Sequence, residues 1–140
     1  MIADMGWHCH PGVRISIERL GMIMDPAAIA RLEEIGGRPL VRTLVALVLE
    51  ELPSRLERVR AAVASRDAGA LGPAAHSLIS TTGNFGAFDV SELARQIEIA
   101  SPSADWDVLV RDAARLALLT QEFLTELEGV RMAFEDGTGG

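Results

Sequence analysis

Ala74-Ala75-His76-Ser77-Leu78-Ile79-Ser80-Thr81-Thr82-Gly83-Asn84-Phe85-Gly86-Ala87 is the stretch on which the reading of this chain turns. Wound as a helix, it sets Ala75, Leu78 and Thr82 on one inward stripe, with Leu71 before them and Phe85 after. His76 stands about 100° round from Ala75, at the edge of that stripe or outside it. Its neighbours one turn away are Gly72 and Ser80, and two turns on is Gly83. The imidazole therefore rises from a strip with almost no side chains. That is a poor place to pack and a good place to be approached by another protein. No other histidine lies beyond the first ten residues.

The segments on either side also read as helices. Asp25 is an N-cap with Pro26 at the first helical position, and Gly36-Gly37 ends the short helix that follows. Pro39 opens the next, whose face is Val41, Leu44, Val45, Val48, Leu52, Leu56, Val59 and Val63. Pro53 falls within it and predicts a kink or a break. Glu50, Glu51, Arg55, Glu57, Arg58 and Arg60 fall on the opposite, solvated side. Asp67 starts the segment carrying His76, with Gly69, Gly72 and Pro73 making its first part irregular. Asp89 and Glu92 have capping-box spacing, ahead of a stripe of Val90, Leu93, Ala94, Ile97 and Ala100.

Ser101-Pro102-Ser103 reads as a loop. The longest helix follows, with Trp106, Leu109, Val110, Ala113, Leu116, Phe123, Leu124, Leu127 and Val130 on one face. No strand alternation or internal repeat is present. The expected fold is all-α: an antiparallel four-helix bundle over residues 25–133 with an additional short N-terminal helix. Residues 1–24 form an extension in which Ile15, Ile17, Leu20 and Ile23 mark either a further short helix or a segment packed on the bundle. Residues 134–140 are expected to be a disordered tail.

A net charge of −7 on 140 residues argues against nucleic acid and against anionic membranes. The richest apolar run, Leu40 to Leu49, is interrupted by Arg42 and falls far short of the ~20 residues of a spanning helix. Asp4, His8, His10 and Pro11 break any signal-peptide core, so a cytoplasmic protein is expected. The single Cys9 excludes an internal disulfide. His8-Cys9-His10 holds metal-capable side chains, but adjacent residues do not easily converge on one ion, and no metal site is expected. No set of nucleophile, base and acid stands out, and no Gly-rich phosphate loop follows a strand. All 13 basic residues are Arg, so any cation recruited to His76 is a guanidinium.

Imidazole suits phosphoryl carriage. With a reference pKa near ~6.5, much of it is neutral and nucleophilic at pH 7. The run Ala75-His76-Ser77-Leu78, then Ser80 through Ala87, then Leu93 and Ile97-Glu98, resembles the histidine-containing phosphotransfer (HPt) domain. Leu40-Val41, Leu44 to Leu49, Glu50-Glu51, Pro53 and Asp67 are similar to that family's preceding helices, so the resemblance spans roughly residues 25 to 130.

The resemblance implies a four-helix bundle in which His76 exchanges a phosphoryl group with a receiver-domain aspartate. The protein would be a stoichiometric phosphocarrier in a two-component phosphorelay, without kinase activity of its own. Its partners would be a response-regulator receiver domain, a hybrid histidine kinase or both. It would bind no cofactor itself, the receiver supplying Mg²⁺. Glu98 would hydrogen-bond the imidazole, and the His76 face with Gly72, Ile79, Ser80 and Gly83 would dock the partner. The chain departs from the family pattern where Ile79 replaces a Lys and Ser80 a Gly. That departure supports an alternative: a non-catalytic HPt-like module that docks without phosphotransfer, Ile79 adding apolar surface. An unrelated bundle used for dimerisation is a third reading.

Overall fold

The computed structural model describes residues 23–138, with side chains described to residue 135. The expected extension over residues 1–24 therefore falls almost wholly outside the described residues. Helix α1 spans Pro26–Ala64. It starts as the sequence predicts, with the Asp25 carboxylate accepting the Ala27 N–H at 3.0 Å and Pro26 in the first turn. Gly37, at φ 75° and ψ −177°, divides it into arms 26–36 and 38–64. Only glycine enters that backbone region readily. Gly37→Ala is expected to cost about 1–3 kcal/mol, read as a lowered melting temperature.

Pro53 does not break the helix, because Gly37 is its only non-helical residue. Val48, Leu52, Leu56 and Val59 are buried on both sides of Pro53, and their packing outweighs the lost backbone bond of an exposed proline. Helix α2, Ala68–Asn84, is likewise regular through Gly69, Gly72 and Pro73, where an irregular start was expected. The Asp67 carboxylate caps it at the Ala70 N–H, 3.1 Å away, and burial of Leu71, Ala74 and Ala75 holds the weak formers in register.

Helix α3, Phe88–Ala100, starts one residue before Asp89, so the Asp89–Glu92 capping box does not form. Ala87 takes the cap position, its carbonyl accepting the Ser91 N–H at 3.0 Å while its own N–H donates to the Thr82 carbonyl at 2.9 Å. Asp89 sits in the first turn instead, where a carboxylate complements the helix dipole. Ser101–Ser103 is a 3₁₀ turn rather than a plain loop, ended by Ala104 at φ 55°. Helix α4, Trp106–Thr138, is continuous past residue 133, where the tail was expected to begin, and Phe134 is buried.

Around the bundle, α1 packs against α2 and α4, and α3 packs against the same two. Arginine–aromatic contacts pin α1 and the turn after it to the two ends of α4. The Arg38 guanidinium lies 4.4 Å from the Phe134 ring centre, and that of Arg66 lies 5.6 Å from the Trp106 ring. Leu52, Leu56, Leu71, Leu78, Ile97, Leu109, Leu116, Phe123 and Leu127 are fully buried, and Phe85 meets Phe123 at 6.2 Å between ring centres. The apolar stripes read from the sequence are this core, apart from Val110, which is exposed on α4. Buried Glu126 accepts the Met24 N–H at 3.0 Å and ties the chain before α1 to α4. No described helix is long and apolar enough to cross a membrane.

Candidate functional site

The site lies where α2 and α3 run antiparallel along a seam of small residues. Ser91 Oγ on α3 donates to the Ile79 carbonyl on α2 at 2.9 Å. Gly83 faces the same serine, and a Cβ there would stand 3.3 Å from its Oγ. At the other end Gly72 is buried against the 3₁₀ turn, where a Cβ would come within 3.0 Å of Ser101 Oγ. Between these two close approaches, His76 Nδ1 meets Glu98 Oε2 at 3.0 Å.

The His76 side chain is 68% exposed and that of Glu98 is 36% exposed. An ionised carboxylate can only accept a hydrogen bond, so in a neutral imidazole this approach favours the proton on Nδ1. Nε2 is then the ring nitrogen with the lone pair, on a side chain open to a partner.

The structure thus brings His76 and Glu98 together. Ser80 is exposed one turn from the imidazole. The other expected docking residues lie elsewhere. Gly72 is buried beneath Ser101. Gly83 is half-buried in the seam against Ser91. Ile79 is half-buried against the core, and its carbonyl is engaged by Ser91. The physical reason is common to all three: they lie on the flank of α2 that α3 covers. The glycines bring two helices together rather than opening a surface.

Arg55 was expected on the solvated face of α1. Instead its Nη1 donates to the Ser77 carbonyl and to Thr81 Oγ1, both at 3.0 Å, and its Nη2 pairs with Glu51 at 3.0 Å. It braces the flank of α2 away from α3. Its place four residues after Glu51 and between Leu52 and Leu56 was the available signal. Ser91 was also missed, although a small polar residue within an apolar stripe marks a close helix approach.

Glu98→Ala is expected to release the imidazole. The ¹⁵N shifts of His76 would move from a favoured Nδ1–H tautomer toward a mixture. Unchanged ¹⁵N shifts would rule out that orienting role.

The family model of the Hpt domain matches residues 43–133. No curated protein matches the chain in sequence. Among solved structures, the histidine-containing phosphotransfer protein B (HptB) of Pseudomonas aeruginosa PAO1 superposes with a TM-score of 0.65 at 21% identity. The match covers 83% of this chain and 94% of that one. At that identity the likeness speaks for the fold.

Proposed function

From its membership of the Hpt domain family, to which this chain belongs, we propose that the protein relays a phosphoryl group between His76 and the aspartate of a receiver domain. The observation that carries the reading is the exposed imidazole held through Nδ1 by Glu98 at 3.0 Å.

In the proposed step, the Nε2 lone pair attacks the phosphorus of the receiver's aspartyl phosphate in line with the departing oxygen. The N–P bond forms, the P–O bond to the aspartate breaks, and the aspartate leaves as a carboxylate. The proton stays on Nδ1, so the cationic ring is set against the Glu98 carboxylate. Reversal returns the group to a second receiver. Positioning and charge stabilisation are most of what such a transfer needs, which suits a site with one nucleophile and one orienting group.

Mg²⁺ belongs to the receiver in this reading, and the chain acts as a stoichiometric carrier without kinase activity. With receivers and histidine kinases as partners, its proposed location is the cytoplasm. The test is incubation with a receiver domain charged by acetyl phosphate and Mg²⁺. Alkali-stable, acid-labile label mapped to His76 supports the proposal. Label at another residue, or none from any receiver that binds the chain, overturns it.

A further inference from the structure

We infer that Arg95, reaching across the α2–α3 seam, is the cation that holds the phosphoryl group on His76. The inference rests on the phosphotransfer reading. A phosphoryl dianion on Nε2 would arrive beside the Glu98 carboxylate, on a chain of net charge −7. It needs a local cation, and with no Lys present that cation is an Arg.

Two arginines flank the site. Arg55 lies on the far flank of α2, with its guanidinium committed to Ser77, Thr81 and Glu51. Arg95 lies on the flank shared with His76. On α3, Ser91 and Glu98 both touch α2, and Arg95 is four residues after one and three before the other, hence on the same face. The two helices are antiparallel, so Arg95 comes level with Ile79, one turn along the seam from His76.

Arg95 is exposed. Its one recorded pairing is with Glu92, also exposed, at 3.7 Å from Nε. Such a pair is worth little, so the guanidinium can be drawn to a dianion at small cost. Its planar fork suits phosphate oxygens. Ground-state dianion oxygens carry more charge than those of a loose, metaphosphate-like transition state. A guanidinium on them therefore slows spontaneous loss of the group.

The test uses phosphoramidate, which phosphorylates imidazole without a protein partner, on the full chain. After the donor is removed, the half-life of phospho-His76 is followed at pH 7 in the wild type, Arg95→Gln, Arg95→Lys and Arg60→Gln. Arg60 lies on α1, paired with Glu57, and its loss changes the net charge equally. Arg95→Gln is expected to shorten the half-life about three- to tenfold, the size of an ordinary net hydrogen bond. Arg95→Lys should recover most of it, Arg60→Gln should match the wild type, and 1 M salt should narrow the gap.

Equal half-lives for wild type and Arg95→Gln overturn the inference, as does an equal fall in Arg60→Gln. A wild type that phosphoramidate does not label at His76 overturns it too. None of these readouts uses a receiver. Failure of the relay itself would show separately, as a chain that phosphoramidate labels and no receiver does.

Discussion

His76→Gln is expected to take no label from a charged receiver while keeping the wild-type helical spectrum and melting curve. The side chain is 68% exposed and its 3.0 Å contact is with Glu98, also partly exposed, so the substitution removes no buried surface. Exposed changes of this kind stay within about 0.5 kcal/mol. The amide of Gln fills similar space and can still meet the carboxylate, but it has no ring nitrogen lone pair to attack phosphorus. Label should therefore fall to background at unchanged stability. Equal labelling of both proteins would remove His76 from the chemistry. A docking module without chemistry would behave in the opposite way, with partner affinity and cellular output indifferent to position 76.

The largest expected loss of stability from a single methyl group is at Gly86. Its φ is 77°, and a Cβ there would stand 2.8 Å from both the Cβ and the backbone N of Asp25. The Asp25 N–H donates to the Gly86 carbonyl at 3.1 Å, so the α2–α3 turn and the start of α1 are joined at this point. Gly86→Ala combines left-handed strain with a clash against backbone, which has no rotamer to yield. The sum is about 2–4 kcal/mol, or a fall of roughly ten degrees in melting temperature for a chain of this size. Because Asp25 also caps α1, amide exchange should quicken first in the arm over residues 26–36. A melting temperature within a degree of wild type would show that the joint gives way without cost.

What could be read beforehand and what could not divides along a physical line. Burial periodicity is local. The stripes from Val41 to Val63 and from Leu71 to Phe85 needed only helical geometry, and so did the position of His76 at the edge of its stripe. The caps at Asp25 and Asp67 are local too, and both form. Which flank of α2 receives α3 is not local. Gly72, Ile79 and Gly83 therefore looked like open surface when they are the contact itself. Arg55 fell to the same gap, since its partners lie on another helix. Pro53 and Pro73 were over-read because packing on both sides of a proline does not show in the proline.

The two glycine–serine approaches, Gly72 to Ser101 and Gly83 to Ser91, bracket the histidine–carboxylate pair. A protein engineer wishing to transplant the histidine–carboxylate pair into another scaffold would find His76 and Glu98 insufficient cargo. Without the four small residues the host helices would stand farther apart, and the carboxylate would fall short of Nδ1. The portable unit is six residues on two helices and one turn, and four of the six need never meet a phosphoryl group.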